Sequence, residues 1–224
     1  MREHDTTPLD SLYRETRQRV ASLVAGLTDS ELGAPVPACP AWTVRDVVSH
    51  LAALAEDAVS GRLKGIPDDE FTAGQVGRLA GLPVADVLAR WAASAAGFEK
   101  MIAASEVWPA VIDVASHEQD IRGAVGRPGE RECAAVRACT PRLLDWLALP
   151  MPVRIHTEDG EYLAGSGSDV PAELELTTSR FEAFRWRMGR RSRAQLAAMA
   201  WSADPAPVID HLAVFGPADR DVVE

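Results

Sequence analysis

The chain has 224 residues, of which 47% are apolar and 25% charged, a composition typical of globular domains with a packed core. Its formal net charge of −10 argues against a nucleic-acid-binding protein, because such proteins need a basic face to neutralise phosphates. The charged start MREHDTTPLD is unlike a signal peptide, and no apolar run is long enough to span a membrane. The cysteines Cys39, Cys133 and Cys139 form no CxxC pair, which favours reduced thiols. We therefore expect a cytoplasmic protein that handles small molecules, without membrane or nucleic-acid partners.

Apolar residues recur with a period near 3.6 in five N-terminal segments, and this pattern predicts helices. Thr43 is a predicted N-cap of the second helix, with Asp46 at the capping-box position. The segment 66–82 is rich in Gly, Asp and Pro, which predicts a long connection. The predicted helices cover 8–28, 44–58, 83–102, 107–125 and 131–148.

The pattern changes at LPMPV, where short alternating segments replace the helical periodicity. VRIHT and EYLAG predict a hairpin and ELELTT a further strand. FEAFRWRMG and SRAQLAAMAW predict two short helices, the second capped by Ser192. The chain is therefore predicted to be mainly α, with a helical bundle domain at 1–149 and a small α+β domain at 150–224.

Two histidines on predicted helices suggest a metal site. His50 and His117 both lie on or beside an apolar stripe, and Asp113 precedes His117 by four residues, on the same helix face. Two imidazoles and one carboxylate, with positions left for water or substrate, form the ligand set of a catalytic metal site. Asp120 is an alternative third ligand, or a residue that orients an imidazole. Each histidine could instead be a hydrogen-bonded core residue.

A run of arginines in the C-terminal third has two interpretations. It could be a solvated helix end, or a patch that holds a substrate anion through bidentate contacts, with Arg187, Arg190 and Arg191 as the binding residues. No Gly-rich phosphate loop, GxSxG elbow or HExxH motif occurs, which disfavours nucleotide and serine chemistry.

Three segments resemble the mycothiol-dependent maleylpyruvate isomerase family: CPAWTVRDVVSHLA, SHEQDIRGAVGRPG and FRWRMGRRSRAQLAAMAW. The resemblance implies a DinB-like four-helix bundle that holds a divalent metal, usually zinc, followed by a small α+β domain similar to sterol-carrier folds. It implies that His50, Asp113 and His117 are the metal ligands. The chain departs from the family pattern at Asp113, where the isomerase has the longer Glu.

The function implied by this resemblance is metal-dependent thiol chemistry. The metal would hold mycothiol as a thiolate, which would attack a small electrophilic or anionic substrate for isomerisation or thiol transfer. One alternative is a metal-assisted hydrolase, in which an activated water replaces the thiol. The other is a non-catalytic protein whose C-terminal domain binds a small ligand.

Overall fold

The computed structural model describes residues 7–165 and 172–224. Within these ranges the chain forms two compact units, Thr7–Gly129 and Glu130–Val223. We call them the bundle unit and the C-terminal unit.

The bundle unit is built from helices that pack through their apolar sides. The long helices α1, α3, α5 and α6 form the bundle, since α3 and α1 both pack against α5 and α6. In the described ranges, no helix is both long and apolar enough to cross a membrane. The elements are α1 (Leu9–Ala25), α2 (Asp29–Leu32), β1 (Pro35–Val36), β2 (Cys39–Thr43), α3 (Val44–Val59), α4 (Asp69–Leu79), α5 (Val84–Ser105) and α6 (Trp108–Ala124).

Helix α3 begins at the predicted capping box. The Thr43 hydroxyl accepts from the backbone N–H of Asp46 at 3.3 Å, and the Asp46 carboxylate accepts from the backbone N–H of Thr43 at 2.8 Å. Both bonds satisfy N–H groups that a helix start leaves without partners. Val47, Val48 and Leu51 are buried on the following turns, which places His50 in the bundle interior.

Helix α4 lies within 66–82, so the prediction of a long connection was wrong for Asp69–Leu79. The Asp68 carboxylate caps it, accepting from the backbone N–H of Phe71 at 2.8 Å. Two glycines that suggested a loop, Gly74 and Gly77, lie inside this helix. A side chain at either position would meet open space. The inner face of α4 buries Gln75 and Leu79, and α4 packs against α3.

The C-terminal unit combines one sheet with helices, as predicted. Strand order is β4-β3-β5-β6, with β3 antiparallel to β4 in the predicted hairpin, β3 parallel to β5, and β5 antiparallel to β6. Ser192 caps α9 through a capping box with Gln195. The elements are α7 (Ala134–Asp145), β3 (Val153–Thr157), β4 (Gly160–Ala164), β5 (Leu174–Thr177), α8 (Arg180–Arg187), α9 (Arg193–Ala197), β6 (Ala200–Trp201) and a 3₁₀ turn (Ile209–His211).

Helix α7 explains why the compact units divide at 129/130, whereas the sequence suggested 149/150. Its helical periodicity, directly after the fourth predicted helix, is the reason that the sequence groups it with the bundle. In the structure α7 packs against α8 and β4, so it belongs with the sheet. Its residue Leu144 lies in the apolar core of the C-terminal unit, together with Ile155, Leu176 and Trp186.

Candidate metal centre

The structure brings His50, Asp113 and His117 together inside the bundle unit. Their potential ligand atoms all lie within 4.8 Å of one another. Nε2 of His50 lies 3.5 Å from Oδ2 of Asp113, and Nε2 of His117 lies 3.4 Å from Oδ1 of the same carboxylate. The two imidazoles are buried, at 4% and 6% exposure, while the Asp113 side chain is 29% exposed. The α3 and α6 side chains that the sequence paired therefore lie together, and Asp113 is the most exposed of the three.

One atom of this group lacks the partner that burial requires. Oδ2 of Asp113 is buried and makes no hydrogen bond with any residue that the structure describes. Its distance of 3.5 Å to Nε2 of His50 is too long for good hydrogen-bond geometry. A buried carboxylate oxygen without a partner is costly unless a cation compensates its charge. The donor set of two imidazoles and one carboxylate fits a divalent ion such as zinc.

The electrostatics of the group follow from its burial. Burial alone would raise the pKa of Asp113, but the neighbouring imidazoles of His117 and His50 outweigh it and hold that pKa well below its usual range. Burial alone would lower the pKa of His117, but Asp113 and Asp120 outweigh it and raise that pKa well above its usual value. Positive charge is therefore strongly favoured beside the Asp113 carboxylate.

Both imidazoles are anchored through Nδ1, the ring nitrogen that does not face Asp113. Nδ1 of His50 lies 2.9 Å from Oε1 of Gln75, and Nδ1 of His117 lies 2.9 Å from Oδ2 of Asp120. Each ring consequently turns Nε2 toward Asp113. This arrangement is common among metal-binding histidines, whose second nitrogen is anchored by an oxygen acceptor.

A second group in the described ranges also has metal-ligand chemistry. Cys39, His117 and Asp120 place ligand atoms within the same 4.8 Å limit. Cys39 Sγ lies 3.7 Å from Oδ2 of Asp120, the oxygen that already contacts Nδ1 of His117. The three groups therefore form a direct hydrogen-bonded set. The group around Asp113 differs, because it contains a buried carboxylate oxygen, Oδ2 of Asp113, that has no hydrogen bond to the described residues.

Trp42 forms an aromatic wall beside the two histidines. Its ring centroid lies 5.1 Å from that of His50 and 6.0 Å from that of His117. Trp42 lies on β2, immediately before the capping box of α3. Neither Trp42 nor Gln75 was predicted as a site residue, although the WTV segment that contains Trp42 was one basis of the family resemblance.

The arginines predicted to bind substrate are engaged within the C-terminal unit. The buried guanidinium of Arg187 donates to the backbone carbonyls of Leu143 and Leu212. Burial lowers the pKa of Arg187 to about 10. Arg191 makes a bidentate pair with Glu182 at 2.8 and 2.6 Å, and Arg190 donates to the carbonyl of Met188. Substrate binding by these three residues stays a prediction.

Comparison with known proteins finds a match within the bundle unit. Residues 13–114, which include His50 and Asp113, match the family model of the mycothiol maleylpyruvate isomerase N-terminal domain. This part of the bundle unit is therefore similar to that domain. This match confirms the resemblance found in the sequence, and the matched segment ends three residues before His117.

Two solved structures share the fold. The crystal structure of the mycothiol-dependent maleylpyruvate isomerase aligns with a TM-score of 0.54 at 14% identity, and that of a histidine-to-alanine mutant aligns with 0.53 at 13%. Each alignment covers 81% of this chain and 88% of the other chain. No curated protein sequence matches the chain significantly. At this identity the likeness establishes the fold, which is mainly α with a small α+β part.

Proposed function

We propose that the chain is a metal-dependent enzyme that uses mycothiol, a low-molecular-weight thiol, for isomerisation or thiol transfer on a small electrophilic substrate. One observation carries the proposal. The Asp113 carboxylate lies between two buried imidazoles, and its buried oxygen Oδ2 has no hydrogen bond to the described residues. The domain match and the fold shared with a mycothiol-dependent isomerase support the choice of thiol.

His50, Asp113 and His117 would hold the ion, which we propose to be zinc. Two imidazole nitrogens and one carboxylate oxygen leave at least one position open, which is typical of catalytic zinc sites. A bound zinc ion would act as a Lewis acid and lower the pKa of a coordinated thiol, so that a thiolate exists at neutral pH. The shorter side chain of Asp113, compared with the Glu of the family pattern, is accommodated because it already contacts both imidazoles.

The protein's own groups define where the reaction takes place. His50 and His117 present Nε2, because Gln75 and Asp120 bind their Nδ1 atoms. The Trp42 ring shields one side of the imidazoles from water, which strengthens the electrostatic interactions there. The partly exposed Asp113 marks the side from which a thiol and a substrate would approach.

Metal analysis of the purified full-length protein tests this proposal first. We expect about one zinc per chain, held by His50, Asp113 and His117, and loss of that zinc in His117→Ala. His156→Ala is the matched control, because His156 lies on β3 of the C-terminal unit and is 30% exposed. Wild-type protein that binds no divalent metal, or a His117→Ala variant with unchanged zinc content, would contradict the proposal.

An activity assay with and without thiol then separates the alternatives. Isomerisation of maleylpyruvate, or consumption of a small electrophile, that requires both zinc and mycothiol supports the proposed enzyme. Turnover without any thiol would indicate metal-assisted hydrolysis instead. Binding of hydrophobic ligands that is independent of zinc, without turnover, would indicate a small-ligand-binding protein.

A further inference from the structure

A chain of buried polar groups extends from His50 on the side away from Asp113. Nδ1 of His50 contacts Oε1 of Gln75 at 2.9 Å, and Nε2 of Gln75 donates to Oδ2 of Asp57, also at 2.9 Å. Gln75 and Asp57 both have 0% exposure. The groups belong to α3 and α4, so the chain also joins these two helices.

Two arginines stabilise the negative charge of Asp57, the last group in this series of hydrogen bonds. Arg62 Nε donates to Oδ1 of Asp57 at 2.7 Å, and Arg78 donates to both carboxylate oxygens at 2.7 Å. Burial would raise the pKa of Asp57, but the bonds from Arg78, Gln75 and Arg62 outweigh it and lower that pKa. Asp57 is therefore an ionised carboxylate, which accepts hydrogen bonds and donates none.

The negative charge on Asp57 determines which group donates in each hydrogen bond between Asp57, Gln75 and His50. Because Asp57 only accepts, Gln75 must turn its NH₂ group toward it. The Gln75 carbonyl then faces His50 and can only accept, so Nδ1 of His50 must carry the proton. In a neutral imidazole Nε2 then keeps its lone pair, because its 3.5 Å distance to Oδ2 of Asp113 is too long for a hydrogen bond that would compete with the 2.9 Å bond to Gln75.

We infer that Gln75 is a positioning residue that selects the Nδ1–H tautomer of His50 and so prepares Nε2 to bind a metal ion. The inference deepens the proposed function, on which its metal-binding part rests. The tautomer itself is a property of the metal-free protein. Free imidazole side chains in water favour the opposite tautomer, with the proton on Nε2, which cannot bind a metal through that atom.

Three substitutions separate this role from simple packing of α4. Gln75→Leu removes the acceptor and the donor at similar volume. Gln75→Glu keeps an acceptor for Nδ1–H: an ionised Glu accepts directly, and a protonated Glu reproduces the bond directions of Gln. Leu79→Ala is the packing control, because Leu79 is buried on the same helix and would weaken α4 without changing the polar chain.

Long-range ¹H–¹⁵N correlation spectra of the metal-free protein, recorded over a range of alkaline pH, report directly which ring nitrogen of His50 carries the proton. The His50 signals are identified by their absence in His50→Ala. We expect the Nδ1–H form in wild type, Gln75→Glu and Leu79→Ala, and a shift toward Nε2–H in Gln75→Leu. An unchanged Nδ1–H form in Gln75→Leu, or an Nε2–H form in wild type, would overturn the inference.

Zinc titration by calorimetry provides the second measurement. We expect Gln75→Leu to weaken zinc binding about 10- to 100-fold, as the loss of an anchoring partner typically does. We expect Leu79→Ala to bind zinc within a few-fold of wild type. Equal zinc affinity in Gln75→Leu and wild type would overturn the metal-binding part of the inference. If wild type keeps the Nδ1–H tautomer but binds no zinc, the proposed function fails and the role of Gln75 in tautomer selection stands.

Discussion

Nδ1 of His117 lies 2.9 Å from Oδ2 of Asp120, while Nε2 of the same ring faces Asp113 at 3.4 Å. The two aspartates therefore contact opposite nitrogens of one imidazole. The side chain of Asp120 is 0% exposed, whereas that of Asp113 is partly open to solvent. This arrangement favours Asp113 as the third ligand and Asp120 as the residue that orients His117, which are the two roles that the sequence left open.

Substitution of each aspartate by leucine should separate these roles. Asp120→Leu removes an anchor, so we expect zinc affinity to fall about 10- to 100-fold with the stoichiometry unchanged. Asp113→Leu removes a ligand, so we expect stoichiometric zinc binding to be lost. Calorimetry with zinc measures both quantities. The reverse order of effects would assign the ligand role to Asp120.

The stability of the bundle unit at acid pH should depend on Asp57. Its folded-state pKa is lowered, so the unfolded chain binds more protons as the pH falls. The resulting stabilisation is fully present above the unfolded-state pKa of about 3.9 and is lost as pH falls through the lower folded-state pKa. We expect Asp57→Asn to cost about 1–3 kcal/mol at pH 7, because the buried Gln75 amide and two partly exposed arginines lose a charged acceptor.

Urea unfolding between pH 7 and pH 3 checks this expectation. The free energy of unfolding should decrease less steeply with acid in Asp57→Asn than in wild type. Glu15→Gln is the control, since Glu15 is exposed on α1 and should leave the curve nearly unchanged. Parallel wild-type and Asp57→Asn curves over this range would show that Asp57 does not contribute the predicted pH dependence.

Arg187 should contribute to the stability of the C-terminal unit. Its guanidinium satisfies the carbonyls of Leu143 and Leu212, so Arg187→Met leaves both without that donor. We expect a loss of about 1–3 kcal/mol per buried group left unsatisfied. Arg193→Met, which breaks a pair between exposed side chains, should stay within about 0.5 kcal/mol of wild type. Unchanged thermal and urea unfolding of Arg187→Met would contradict this expectation.

The long helices could be predicted because their apolar periodicity comes from one continuous buried side. Helix α4 could not be predicted in this way, since its buried side includes the polar Gln75 and its outer side carries Gly74 and Gly77. Local signals for α4 were nevertheless present: Asp68 as N-cap, acidic residues in the first turn and Arg78 in the last. Helix α7 was predicted as a helix, but periodicity does not specify which partner it packs against.

The candidate site could be predicted from the sequence only in part, because spacing along one helix does not specify which other helix packs against it. Asp113 and His117 share one helix, so their proximity follows from a four-residue spacing. The sequence suggested that His50 joins them from another helix, but spacing alone could not establish this, because its approach depends on how α3 packs against α6; the family resemblance added the support. Gln75 and Asp57 carried no signal, since their roles depend on contacts between α3 and α4 and not on a motif.

Calorimetric titration of mycothiol into zinc-loaded and metal-free protein tests the central claim most directly. The proposal requires the ion held by His50, Asp113 and His117 to be the binding partner of the thiol. We therefore predict saturable mycothiol binding to the zinc-loaded protein and none to the metal-free protein or to zinc-treated His117→Ala. Equal mycothiol binding with and without zinc, or no binding to the zinc-loaded protein, would contradict it.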